Sequence, residues 1–381
     1  MFKKSLAAVA VLGAFAASSF AADVTFYGKV DLGFNYENVQ EEMGAEKDTT
    51  EALTLDSGVG LASRIGVKAT EQLGNGDKVA FKIEGDFKAD DGDMNKTDRL
   101  WQREASLSYI ADWGTLYAGR YGTFSGAAGS TDIVMSRMDV FDGGHKDVGL
   151  IGLGRTDNSI SYISPKFAGF QAAAMYSFKN DNVGEKKIGH EGHADANRYA
   201  GVALTYDIGA LQTAVSYEQL LRNNAADRFD DAKLVSFGGN YDFDMFKLFV
   251  GGQYFTGLNK FYGETIADVS DTDVTMPEAV AAGYTDGIEG YGLHAGAEFQ
   301  ALGGNWEMGM YYTDAKLDNR DSALDIDGEY FGMDVRYIYK LSKQVELRST
   351  VLYDTLKLEM KDIPDYTKDR YAACVSMTYN F

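Results

Sequence analysis

The chain has 381 residues with 57 acidic against 36 basic side chains, a formal net charge of −21, and 43 Gly, 24 Tyr and 22 Phe beside only 3 Pro and 1 Cys. The acidic balance excludes nucleic acid as a partner, because neutralising phosphates needs a basic surface, and the lone Cys374 excludes an internal disulfide. Beyond residue 21 no stretch is apolar for long enough to span a bilayer as a helix, which excludes an all-helical membrane protein, and glycine and aromatics with little proline suit a chain of many strands.

At the front, Lys3 and Lys4, the apolar run from Leu6 to Phe15, and the small residues Ser19 and Ala21 have the order of a secretory signal cut after Ala21. The run is too short for a spanning helix. Residues 22–381 are then expected to form one domain, since no Pro/Ser-rich linker breaks the rhythm that follows. In that rhythm Val24, Phe26, Val30, Leu32, Phe34 and Tyr36 alternate with Thr25, Tyr27, Lys29, Asp31 and Asn35. Next, Val59, Leu61, Ile65 and Val67 oppose Ala62, Arg64, Gly66 and Lys68, and Val79, Phe81, Ile83 and Phe87 oppose Lys82, Glu84, Asp86 and Lys88.

The same alternation returns at Phe170–Phe178, Phe246–Tyr254, Tyr291–Phe299, Phe331–Tyr339 and Val345–Tyr353, with charges such as Glu298, Asp334, Arg336, Glu346, Arg348 and Asp354 in the polar rows. It ends in Tyr371, Ala373, Val375, Met377, Tyr379 and Phe381 on one face, with Arg370, Ala372, Cys374, Ser376, Thr378 and Asn380 on the other. A half-buried soluble sheet also alternates. Here, however, charge faces an unbroken apolar row in strand after strand, and in a dry core each charge would cost several kcal/mol. The polar rows must therefore meet water, which predicts a transmembrane β-barrel with a wet interior.

Short turns at Gly74–Gly76, Ala111–Gly114, Pro165–Gly169, Asp207–Ala210, Asp242–Asp244, Leu302–Asn305 and Lys340–Lys343 alternate with long polar segments near 38–56, 89–98, 121–156, 180–197, 223–232, 258–287, 314–328 and 356–369. These connections join sixteen strands into an all-β antiparallel meander with no open edge. Sixteen strands are enough to leave an aqueous lumen.

The segments Ala22–Gly28 and Ser63–Lys68, the Leu73-Gly74-Asn75-Gly76 turn, Phe81–Glu84, Gly119-Arg120, Asn158–Tyr162, Ser164-Pro165, Gly169-Phe170 and the terminal Phe381 stand in an order that resembles the general diffusion porins of Gram-negative outer membranes. The resemblance spans the chain after the signal. It implies a homotrimer of barrels in the outer membrane, in contact with lipid and lipopolysaccharide, passing small hydrophilic solutes and ions. It also implies that Phe381 serves as an assembly signal and that the third long connection, residues 121–156, folds into the barrel. That loop then sets acids against a basic wall. Arg64, Lys82 and Arg155 carry over to the wall, with Arg120 beside them, and Asp132, Asp139 and Asp142 are the candidate acids, Asp132 and Asp142 favoured. Glu84 and Asp86 offset the wall within the lumen.

A transverse field of this kind orders water and penalises apolar solutes. The acidic loops, with Glu41, Glu42, Glu46, Asp48 and Glu51 in the first, lead to an expectation of weak cation selectivity. An enzyme would need a nucleophile beside a base. The histidines are His145, His190, His193 and His294, and His190-Glu191-Gly192-His193 lacks the spacing of a helical metal motif, so neither a cofactor nor a metal is implied. The alternative function is a non-conducting barrel that displays adhesive loops, and ion conductance separates the two.

Overall fold

An extended strand in hydrocarbon is tolerable only if both its edges are paired, and a sheet closed on itself is the arrangement that pairs them all. The computed structural model describes residues 23–95, 99–126, 129–141, 149–180, 189–222, 231–258, 287–317, 326–361 and 364–381. Its strands are β1 (Asp23–Met43), β2 (Glu46–Ser57), β3 (Arg64–Gln72), β4 (Lys78–Asp86), β5 (Glu104–Ala111), β6 (Gly114–Gly122), β7 (Arg155–Ile163), β8 (Phe170–Ser177) and β9 (Arg198–Ile208). They continue with β10 (Leu211–Leu221), β11 (Ala232–Asp242), β12 (Phe246–Leu258), β13 (Ile288–Ala301), β14 (Gly304–Leu317), β15 (Ile326–Lys340), β16 (Val345–Met360) and β17 (Tyr366–Asn380). One short helix, α1 (Met135–Met138), lies between β6 and β7.

Neighbours in sequence pair antiparallel throughout, and β1 pairs β17 from Lys29↔Asn380 to Met43↔Tyr366, which closes the ring. Seventeen segments make sixteen staves, because β2 and β3 share one edge of β1. β2 runs beside it from Leu32↔Ser57 to Met43↔Glu46, and β3 from Asp23↔Thr70 to Lys29↔Arg64. The stave breaks at residues 58–63, where Gly58 takes a φ of +75° that other residues resist. Asp31 pins the break: one carboxylate oxygen accepts from the Gly60 amide at 2.9 Å and the other from the Ser376 and Thr378 hydroxyls at 3.0 and 2.5 Å. Val59 and Leu61, expected on the second strand, lie in this break.

The polar segment expected as a loop over residues 38–56 is instead the upper half of the β1–β2 hairpin, turned at Gly44-Ala45. Its outer residues Gln40 and Glu42 meet water above the apolar belt, while Glu41 and Met43 on the inner face are buried.

Period two sorts the staves as expected. Outward residues such as Val202, Val250, Leu293, Val351 and Val375 are exposed, whereas Ser236, Thr313, Asp334 and Thr378 on the inner face are fully buried. Aromatic rings gather at the short-turn end: Tyr109, Trp113 and Tyr162; Phe170 and Tyr206; Tyr241, Phe243 and Phe246; Phe299, Trp306 and Tyr337. They form one girdle of the membrane band. The terminal Phe381 joins it, its ring 5.6 Å from that of Phe26, while its amide and carbonyl pair with Gly28 at 3.1 and 3.0 Å. The other end departs from expectation: along one register row Met43, Leu234, Phe255, Leu358 and Tyr366 face inward, so the inner wall there is apolar and buried.

A candidate constriction across the lumen

Residues 123–154 leave the ladder after β6 and return at β7, and the described part of this connection is bonded to the far wall. Ser125 donates its amide and hydroxyl to Glu218 of β10 at 3.2 and 3.1 Å, and the buried Tyr199 hydroxyl of β9 donates to the same oxygen at 2.7 Å. Gln253 of β12 both accepts from the Ile151 amide (2.7 Å) and donates to its carbonyl (2.8 Å). Asn240 of β11 donates to the Arg137 carbonyl (2.8 Å), and the Arg137 guanidinium grips both oxygens of Asp207 on β9 at 3.1 and 3.0 Å. Six orphan groups of an irregular loop are thus satisfied by wall side chains that a polar inner row provides.

The wall makes room by omission. A Cβ on Gly251 would stand 2.7 Å from Leu150 Cδ1 and 3.1 Å from the Met138 carbonyl, and one on Gly296 would stand 2.7 Å from Val140 Cγ1. Met138, Leu150 and Val140 occupy that bed, and Met138 is fully buried, as are Phe124, Val134 and Met135 of the same connection. Phe141 also carries the Arg336 guanidinium of β15 over its ring at 4.8 Å.

Across the lumen β3 to β7 carry a charged wall. Register sets Arg64 opposite Asp86, and Glu84 opposite Glu104. Glu84 is a hub, accepting from Arg103 Nε at 2.6 Å and from the Tyr27 hydroxyl at 2.8 Å, with Arg64 and Lys82 each at 3.9 Å. Lys82 lies 2.8 Å from Glu104, which also accepts from the Ser130 hydroxyl of the loop at 2.5 Å and so ties wall to loop. Asp157 joins Arg99 (2.6 Å) and Arg120 (2.7 Å), and Arg120 Nε donates to the Gln102 carbonyl.

The β6–β7 register slips between Gly119 and Tyr121, and Asn158 has a φ of 49°. This bulge, not simple alternation, gathers Arg120, Arg155 and Asp157 in one place. Arg155 forms no ion pair among the described residues, and its buried Nε has no acceptor.

Among the acids expected on the loop, Asp132 is half-buried just ahead of α1 and accepts from the Ser136 amide at 3.4 Å. Asp142 lies outside the described residues. Asp139 is placed differently from the expectation of an acid facing the pore. It is 2% exposed, and its oxygens accept from the Tyr311 hydroxyl of β14 at 2.6 Å and from the amides of Phe141 and Leu150 at 2.8 and 3.4 Å. A carboxylate so fully engaged fixes the loop to the wall. Glu84 and Asp86 do line the charged wall, with Asp86 7% exposed and one oxygen without a partner.

Sequence reasoning missed Arg99, Arg103, Glu104 and Asp157. Arg103 and Glu104 follow Trp101 at the very start of β5, where no alternation marks the inner face, and Asp157 sits in the bulge. On other staves several inward charges pair with near neighbours: Arg336 with Glu307 (3.0 Å), Arg348 with Glu346 (2.7 Å) and Arg370 with Asp354 (2.6 Å). In the exposed connection before β9 the His190 amide, and then its ring at 3.0 Å, hold the Asp195 carboxyl below its usual range. Among the described residues no cluster of His, Cys, Asp or Glu could hold a metal ion.

A family profile described as Gram-negative porin matches residues 7–357. An outer membrane porin protein of Bordetella pertussis is 29% identical over 91% of this chain and 92% of its own length. Outer membrane porin protein 32 of Delftia acidovorans is 32% identical over 65% and 68%. Among solved structures, the anion-selective porin from Comamonas acidovorans superposes with a TM-score of 0.65 at 22% identity, covering 94% of this chain and 100% of that one. The outer membrane channel DcaP of Acinetobacter baumannii does so at 0.60 and 17% identity, covering 96% and 99%. With a closed sixteen-stave barrel, a charged inner wall and a profile match along most of its length, the chain belongs to the Gram-negative porin family, whose members are outer-membrane diffusion channels and not enzymes.

Proposed function

We propose that residues 22–381, freed of a signal at residues 1–21, assemble as a homotrimer among outer-membrane lipid and lipopolysaccharide and pass small hydrophilic solutes through a waist between the loop and the charged wall. One observation carries this reading: the loop is bonded to β9–β14 while its Ser130 reaches Glu104 of the opposite wall, so it crosses the lumen at the level of Arg64, Lys82, Arg103, Arg120 and Arg155. Asp132 and Asp142 are its candidate acids, and Asp139 acts by positioning.

The weak cation preference expected from the acidic loops finds no support at this level. Among the described residues, Arg64, Lys82, Arg99, Arg103, Arg120 and Arg155 outnumber Glu84, Asp86, Glu104 and Asp157 on the wall, and Arg155 forms no ion pair. Selectivity is set where the passage is narrowest and water is fewest, so we place the preference with small anions, the acidic loops acting at the outer mouth alone.

Single-channel recording of the purified protein with its reversal potential in a salt gradient tests both statements. Stepwise conductance with an anion-side reversal supports them, and Arg64→Ala should shift unit conductance or reversal. A silent barrel would favour the display role, and a cation-side reversal would overturn the preference.

A further inference from the structure

We propose that His294 of β13 is the positioning residue that holds the loop at Val140 and makes that hold depend on proton concentration. The inference rests on the reading of residues 123–154 as the constriction loop. His294 is 3% exposed and stacks on the Tyr311 ring at 4.3 Å. Its two nitrogens face opposite demands. Nδ1 lies 3.1 Å from the Met310 carbonyl, which can only accept, and Nε2 lies 3.3 Å from the Val140 amide, which can only donate. Both partners are main chain and cannot change roles, so the geometry assigns the neutral imidazole with its proton on Nδ1 and its lone pair turned to the loop.

A second proton has one place to go, Nε2, where it would point at the Val140 N–H. The latch then becomes two donors facing each other. Glycine lines the floor of the contact: Gly251 pairs with His294 across β12, and Gly296 and Gly309 lie against its ring and Val140. Among the described residues, the titratable groups that face the ring are Tyr311 of β14 and Asp139 of the loop. Arg336 of β15 stands farther off, over Phe141. Among the described residues, the carboxylate a protonated His294 could draw on is Asp139, whose oxygens already hold the Tyr311 hydroxyl and the amides of Phe141 and Leu150. Either way the loop backbone at 139–141 must shift, and with it the width of the waist. The latch is therefore intact above the imidazole's titration and lost as pH falls through it.

Single-channel recordings of wild type and His294→Gln at about pH 7.5 and about pH 4.5, which bracket an ordinary imidazole, test the proposal. The glutamine amide oxygen can accept from Val140 at either pH. Wild type should change its unit conductance or open-channel noise by roughly twofold on acidification, and the variant should not. Equal pH profiles overturn the role of His294 while leaving the channel reading intact, whereas folded wild type that conducts at neither pH overturns the channel reading itself. If His294→Gln does not assemble, imidazole nitrogen shifts of histidine-labelled wild type decide: an Nδ1–H tautomer at neutral pH supports the proposal, and an Nε2–H tautomer overturns it.

Discussion

The two walls of the waist are built by opposite means. β3 to β7 place charge by presence: Glu84, Glu104 and Asp157 each hold arginine or lysine side chains in the lumen, while Arg155, in a bulge, forms no ion pair among the described residues. β11 to β14 place the loop by absence, with Gly238, Gly251, Gly296 and Gly309 clearing a bed that Met138, Val140, Phe141 and Leu150 of the loop occupy. The difference teaches that a passage can be tuned chemically from one side and dimensionally from the other.

Filling the bed is the strongest way to test this. Gly251→Leu must displace Leu150 and Met138, an overpacking on the order of 1–3 kcal/mol, and the loop can yield only toward the passage. Unit conductance should fall to roughly half or less while the reversal potential moves little, since the charged wall is untouched. A normal conductance would show that the bed does not set the width. Removing charge from the other wall should do the reverse. Arg155→Gln, at a position with no ion pair among the described residues, should move the reversal potential toward cations with a smaller change in conductance; an unmoved reversal would make this charge irrelevant to permeation.

The smallest effect belongs to a pair outside both walls. The Asp195 carboxyl, held below its usual range by the His190 amide and then its ring, keeps this contact through that range and gives it up as pH falls through its own lowered titration. Asp195→Asn should leave both conductance and reversal unchanged, and a change in either would bring the extracellular connection into the permeation path.

The staves were legible because hydrocarbon outside and water inside force a period of two, so Val250 opposite Gln253 or Val351 opposite Arg348 can be read without coordinates. Arg64, Lys82, Glu84 and Asp86 followed from the same parity. Three things could not be read that way. The bulge at Asn158 resets parity just where Arg120, Arg155 and Asp157 meet. The docking bed consists of glycines, which leave no side-chain pattern to find. Asp139 looks in sequence like any loop acid, and only the Tyr311 hydroxyl, far along the chain, shows that it is spent on the wall. The polar stretch at 38–56 misled for a related reason: a hairpin that rises into water has no apolar row to mark it.

The ring's seams differ in strength in a way that bears on how the cylinder comes apart. The joint between first and last staves is among the longest ladders, running from Lys29↔Asn380 to Met43↔Tyr366, whereas the β7–β8 ladder is short, from Ser159↔Ser177 to Ile163↔Ala173 with one further backbone bond at each end. Heat or a pull on the chain therefore finds its zipper not at the termini but beside the root of the loop, so mechanical rupture and loss of the waist would begin at the same hinge.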